Sequence, residues 1–419
     1  MQQKDSIQPV RVLTEGMYLA TSWTWCIGMF LPVILLRDFG WWAWVAFALP
    51  NVIGAAAMGA ALKREGASQA MVAAHAPMMR VFSIVTLAFQ AFFLAWLFSD
   101  LDSGLLRAAM LALVLCVLIL PGLHSSWPIW SRVSTGVVYV ISLACAGLYV
   151  AQVGLPILPA TKVSQAADLA LLAPVLIVGF ALCPYLDLSF HAARQRTPGR
   201  TGTLAFVVGF GVLFLAMIVF TLFYTPAALN TLPLSPAAAA TRIVQGGSSS
   251  SLGGLVLGGL SVAGLAVLVH LVAQAAITAG IHQSFARRHS LAGNHAGVDR
   301  NSSSGVFDKI PTLAWVALLL VPVGILIGMP SYAGLSMFEL CYRAFMGFYG
   351  LIFPAYVWVC VLPTFGLATK PTKRHWRAFV IAVVIAMPFF WFGFIEREYV
   401  MLVPGVLALL ASRLLLVLK

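Results

Sequence analysis

The chain has 419 residues, 61% of them hydrophobic and 9% charged, with a net charge of +12 and a mean hydropathy of +0.96. A soluble domain carries about a quarter charged residues, so a water-soluble fold is excluded. Apolar runs of about 20 residues recur along the whole chain. They also exclude a β-barrel, whose strands would alternate apolar and polar residues at every second position.

Twelve spans are predicted, near residues 16–36, 41–62, 81–98, 106–123, 134–154, 169–190, 203–223, 254–282, 310–328, 337–362, 378–395 and 400–417. The first run is too long for a secretion-signal core and has no small-residue cleavage pattern before Arg37. With the N-terminus inside, 19 of the 25 Lys and Arg residues fall on the cytoplasmic side. Arg37, Arg107, Lys162, Arg242, Arg343 and Arg397 lie on the other side or at span mouths. That is the positive-inside pattern, with both termini cytoplasmic, so the basic excess is topological and marks no nucleic-acid partner. The expected location is a bacterial-type inner (cytoplasmic) membrane, the lipid bilayer itself being one partner. The six cysteines all fall in predicted spans and form no CxxC pair, so neither a zinc site nor a disulfide framework is expected.

Between spans 2 and 3, "KREGASQAMVAAHAPMMR" is expected to form a short interfacial helix before Pro77. The small-residue run "GAAAMGA" at 54–60 in span 2 reads as a close-packing surface, and Asn51 and Gln90 as interhelical hydrogen-bonding residues. The longest external link joins spans 7 and 8, and its "SPAAAATRIVQ" reads as a helix with proline at its first position. The cytoplasmic link after span 8 is polar and long.

Spans 1 and 6 share a pattern. Gly28 precedes Pro32 and Gly179 precedes Pro184, each glycine 11 or 12 residues from the start of its span. Five spans apart, the two cross in opposite directions. Matched Gly/Pro interruptions in two inverted halves point to the binding site of a secondary transporter. Plain kinks or close helix contacts are the other reading of such pairs.

This layout resembles the leucine-transporter fold of the amino acid–polyamine–organocation superfamily. The resemblance is one of architecture over the whole chain, without a subfamily motif. It implies two inverted five-helix repeats, 1–154 and 155–366, with broken helices 1 and 6, an external helical loop at 225–253, and two extra helices in 367–419. It also implies the short cytoplasmic helix at 63–80.

A broken helix frees backbone groups that must find partners inside the bilayer. The outer half of span 1 is expected to start near Met29 and the inner half of span 6 near Cys183 or Pro184. Their N–H ends suit an anionic group, and the facing carbonyls around Cys26–Gly28 and Gly179–Leu182 suit a cation or an ammonium. Trp23, Trp25, Phe180 and Tyr185 would shape the pocket. The substrate-binding set is therefore Trp25, Cys26, Gly28, Met29, Gly179, Phe180, Cys183 and Tyr185.

Asp187 and His191 stand four residues apart on one helix face, and ionisable residues inside spans mark functional paths. The plain reading is a helix cap and a boundary histidine. In span 8, His270, Gln274 and Thr278 form an i, i+4, i+8 polar stripe. In the resembled fold a sodium site lies between helices 1 and 8, where Thr278 would supply an oxygen. The hydroxyl expected beside it is absent, with Ala275, Ala276, Ile277 and Ala279 around it. H+ coupling through Asp187 and His270 therefore stands beside Na+ coupling, and a buried interhelical hydrogen bond is the plain reading of His270. Glu339 and Arg343 are an i, i+4 pair at the outer mouth. Either they neutralise each other, or they form an outer gate with Arg37 or Asp38.

The leading expectation is a symporter or other secondary active transporter. It carries a small organic solute, an amino acid or other zwitterion, by alternating access, with no cofactor or metal beyond H+ or Na+. No GxxxxGK[ST] phosphate loop is present. A major-facilitator carrier is less favoured because "HAARQRTPGRT", its would-be middle loop, is short. A membrane enzyme acting on lipid-linked substrate is the alternative, but His124, His191, His282 and His289 are scattered without neighbouring carboxylates. A sensor or scaffold that kept a transporter fold is the third reading.

Overall fold

The computed structural model describes residues 7–98, 127–231, 262–292, 311–364 and 369–417. The chain is an all-α, multi-pass integral membrane protein. Among the described residues nine helices are long and apolar enough to cross a bilayer, and a bent pair makes a tenth. In chain order the thirteen described helices begin with α1 (Pro9–Trp23), α2 (Cys26–Phe39), α3 (Trp41–Ala61), α4 (Ala67–Leu97), α5 (Trp127–Val153), α6 (Val163–Leu182) and α7 (Leu188–Arg196). Next, α8 runs from Gly199–Val208 through a π-turn at Gly209–Phe214 into Leu215–Thr231. It is followed by α9 (Val262–Ala292), α10 (Thr312–Ile327) and α11 (Met337–Gly347, continued by π-turns at Phe348–Ile352 and Val357–Val361). The last two are α12 (Lys373–Phe394) and α13 (Leu402–Ala411). Predicted span 4 and residues 232–261 and 293–310, with most of the external loop, lie outside the described residues.

Two expectations about elements are corrected. The link after span 2 is not a separate short helix. Residues 67–97 form one helix of 31 residues, about 46 Å long at 1.5 Å per residue, with Pro77 inside it. Met71, Ala74, Met78, Met79 and Phe82 are buried along it, and that continuous packing outweighs the one hydrogen bond Pro77 cannot make.

The interruption of span 1 is also displaced. The chain breaks at Thr24–Trp25, where α1 and α2 meet at 59°, not at Gly28. Trp25 is extended (φ −127°, ψ −169°), while Gly28 and Pro32 both sit inside α2. Pro32 lacks the N–H that the Gly28 carbonyl would accept, so the pair marks a tolerated gap within a continuous helix.

In span 6 the unwound piece is Cys183–Asp187. It is a 3-10 turn ending in extended Asp187, and the second half-helix starts at Leu188, later than Cys183 or Pro184. Gly179 lies inside α6. A Cβ there would come 2.8 Å from the Tyr349 carbonyl oxygen, so this glycine serves close packing of α6 on α11. Gly54 of α3 does the same against the Phe180 carbonyl, at 2.4 Å.

Candidate functional site

The two interruptions face one cavity. Its volume is about 60 Å³, and its walls come from α1 and α2 (Trp23, Trp25, Gly28), α6 (Gly179, Phe180) with Cys183, and α11 (Tyr342, Tyr349). An engineered hydrocarbon cavity of about 150 Å³ takes benzene. The space here therefore holds a few waters or a solute of a few heavy atoms unless its aromatic walls part. Those walls are interlocked: Trp25 meets Tyr349 edge-on with ring centroids 4.9 Å apart, and Trp23 lies 5.8 Å from Trp25.

Side chains satisfy the backbone groups that the break in span 1 frees. The Cys26 N–H donates to Gln90 Oε1 at 3.2 Å, and the Cys26 carbonyl accepts from the Tyr342 hydroxyl at 3.1 Å. Gln274 lies between α1 and α5. In the amide orientation that satisfies both its ends, it donates to the Thr24 and Thr21 carbonyls (3.2 and 3.3 Å) and accepts from Ser142. Burying an unpaired amide group costs about 1–3 kcal/mol, which is the reason these partners are needed in a dry core.

At one end the cavity reaches Asp38 and Arg343. Here four charges form one network. Arg37 holds Glu339 with two nitrogens (2.6 and 2.9 Å) and Asp38 with Nε (2.7 Å), while Arg343 reaches Asp38 Oδ2 at 2.6 Å and Glu339 Oε1 at 2.8 Å. Glu339 is fully buried, and Ser336 caps the start of α11 by accepting its N–H. Two positive and two negative charges balance, and the network ties the end of α2 to α11.

At the opposite end stands a second ionic contact. Arg196, on α7, grips Glu15 of α1 through Nε (3.0 Å) and Nη2 (2.7 Å), and its guanidinium lies 4.5 Å above the Tyr18 ring. Glu15 is buried, with Arg132 a looser neighbour at 3.9 Å.

Between these ends, α1, α4, α7 and α9 enclose a polar file. Asp187 caps α7 by accepting the Ser189 N–H at 2.7 Å, and its Oδ2 has no partner among the described residues. Ser189 Oγ donates to Ser22 Oγ at 3.2 Å. The ring of His282 meets Ser83 Oγ at 3.2 Å through Nδ1, leaving Nε2 without a partner. Thr278 Oγ1 and both His270 nitrogens are likewise buried without partners, His270 lying edge-on to Phe220 at 5.0 Å.

Of the predicted binding residues, Trp25, Gly28, Gly179, Phe180 and Cys183 line the cavity. Cys26 serves through its backbone only. Met29 borders a separate small void and its carbonyl accepts from the Tyr224 hydroxyl. Tyr185 faces an apolar groove between α3 and α6. Asp187 and His191 do not pair through their side chains, since the His191 ring engages Ser68 Oγ (2.9 Å) and the Tyr185 carbonyl (3.0 Å). Glu339, Arg343 and Arg37 are brought together.

Sequence reasoning missed Tyr342, Tyr349, Glu15 and the continuation of the span 8 stripe to His282. The last was legible, because 270, 274, 278 and 282 keep one four-residue step. Among the described residues no group of three His, Cys, Asp or Glu side chains is placed to hold a metal ion. No protein-family model matches the chain, and no curated protein matches it.

Proposed function

We propose that the protein is a secondary active transporter that carries a small organic solute by alternating access. The proposed architecture is that of the leucine-transporter fold, with α1/α2 and α6/α7 as its two broken helices in inverted five-helix repeats, and with cytoplasmic termini. One observation carries the reading: residues beside the break in span 1 and Cys183, which opens the unwound piece of span 6, line one cavity that reaches the Arg343–Asp38 ionic network. Alternate release of that network and of the Glu15–Arg196 contact gives the cavity access to one side at a time.

The geometry favours H+ over Na+ as the coupling ion. A hard cation needs several free oxygens, and the carbonyls at the break already accept from Gln274 and Tyr342. Asp187 Oδ2 and His282 Nε2, buried and without partners, are groups on which a proton can reside. Asp187 and His282 are thus the coupling pair in this reading, and His191 is a structural residue.

The test is uptake of a panel of small solutes into proteoliposomes holding the full chain, under a proton gradient, a sodium gradient or neither. Proton-driven accumulation of one solute class is the expected result. Absence of gradient-driven flux across the panel overturns the carrier reading in favour of an enzyme or a sensor.

A further inference from the structure

Which solute the cavity takes follows from the hydrogen-bonding groups its walls leave unused. The Trp23 indole N–H donates to Asn51 Oδ1 at 2.6 Å. Thr86 Oγ1 donates to the Phe82 carbonyl, so the Tyr349 hydroxyl, 3.0 Å from Thr86 Oγ1, is the donor in that contact. The Tyr342 hydroxyl donates to Cys26, and the Cys183 thiol to the Tyr349 carbonyl at 3.4 Å. Among the side chains lining the aromatic section, two hydrogen-bonding groups have no partner: the Asn51 amide nitrogen and the Trp25 indole N–H. Both residues are 1% exposed. Both groups are neutral donors, set in a wall that is otherwise aliphatic and aromatic.

Charge is just as informative. The charged residues lining the cavity are Asp38 and Arg343, at one end of it, and each is already held by the other and by Arg37 or Glu339. An ammonium entering the aromatic section meets no free carboxylate, and the carbonyls of Thr21, Thr24 and Cys26 already accept hydrogen bonds. A charged group left dry and unpaired is heavily penalised. A neutral oxygen acceptor, by contrast, finds two donors.

We propose that the cavity selects an uncharged solute with a compact apolar body and a carbonyl-type acceptor, read by Asn51 Nδ2 and the Trp25 indole N–H. This rests on the transporter reading only in taking the cavity as the solute site. It makes Asn51 a specificity-determining residue and sets zwitterionic amino acids aside.

Three probes that share an isopropyl group test it: isobutyramide (neutral), isobutyrate (anionic) and valine (zwitterionic). Binding is followed by saturation-transfer NMR on the full chain in nanodiscs, with empty nanodiscs as control. Isobutyramide is expected to bind at least tenfold more tightly than the other two. Asn51→Leu should weaken isobutyramide about tenfold and leave the other two unchanged, because one dry donor has gone. Trp25→Phe keeps the ring, removes the second donor, and should weaken it severalfold, so the proposal stays testable should Asn51→Leu fail to fold. Tighter binding of valine or isobutyrate overturns the proposal. So does indifference of isobutyramide to both substitutions, or binding of none of the probes. Selective isobutyramide binding without gradient-driven flux counts against the carrier reading and leaves this assignment standing.

Discussion

Arg343 donates to Asp38 at 2.6 Å and to Glu339 at 2.8 Å, so one guanidinium clamps the end of α2 to the first turns of α11. The clamp sits at one end of the cavity. In the proposed transporter, opening the cavity on that side requires these bonds to part. Glu339 is the hub, because both arginines bind it and it is fully buried. Glu339→Gln leaves two guanidiniums facing one carboxylate. Breaking a buried pair costs about 3–5 kcal/mol, here borne mainly by the closed state. Labelling of Leu35→Cys by a membrane-impermeant maleimide, in a chain without its native cysteines, should rise about tenfold over the same reporter with Glu339 intact. Unchanged labelling would make the cluster purely structural.

The position of the break in span 1 is tested by alanine at three glycines. Gly54→Ala and Gly179→Ala drive a methyl into the backbone of a neighbouring helix, at 2.4 and 2.8 Å. Overpacking of this kind costs roughly 1–3 kcal/mol and should lower the thermal unfolding midpoint. Gly28→Ala meets nothing closer than 3.6 Å and sits inside α2, so it should be neutral or slightly stabilising through helix propensity. A severe defect at Gly28 alone would return the hinge to that residue.

The tyrosine that caps the broken end is open to a similar test. Tyr342→Phe removes the donor to the Cys26 carbonyl and leaves it dry. The expected loss is about 1–3 kcal/mol in thermal stability. Exposure of the carbonyl to the cavity should also make ion or water entry at the break detectable by hydrogen exchange at Cys26 and Ile27. A variant with wild-type stability and exchange would mean that the break needs no cap.

Asp187 has two roles to separate. Asn is as good a helix cap as Asp, so Asp187→Asn should keep α7 and the folded yield. It should abolish proton-driven accumulation in proteoliposomes while leaving solute exchange across the same membranes, since the exchange half-cycle needs no proton release. Retained accumulation would reduce Asp187 to a cap and move coupling to His282 alone.

The sequence revealed more of the outline than of the joints. Length and apolarity placed ten of the twelve predicted spans, span 4 lying outside the described residues and span 9 forming the shorter helix α10, and the i, i+4 step placed Glu339 beside Arg343. The break in span 1 was misplaced by three to four residues because glycine and proline were taken as its cause. The chain instead turns at Thr24–Trp25, where Gln90 and Gln274, distant in sequence, satisfy the freed groups. A cap supplied by another helix leaves no local signature. The Glu15–Arg196 contact was hidden for the same reason, since its two residues are 181 positions apart. His282 was legible but was counted among scattered histidines, although its ring is fully buried on the span 8 stripe. Asn51 was read as an interhelical hydrogen-bonding residue. It does hold Trp23, but one of its two polar atoms remains turned to no protein partner.

The most direct test of alternating access uses the Glu15–Arg196 contact as the perturbation and reporters at both ends. Glu15→Gln weakens the grip of Arg196 on α1. Labelling of Ser22→Cys from the inner side should then rise, and labelling of Leu35→Cys from the outer side should fall in the same membranes. Reciprocal change is what a single cavity with two exclusive openings produces. A rise at both reporters, or movement at neither, would contradict it.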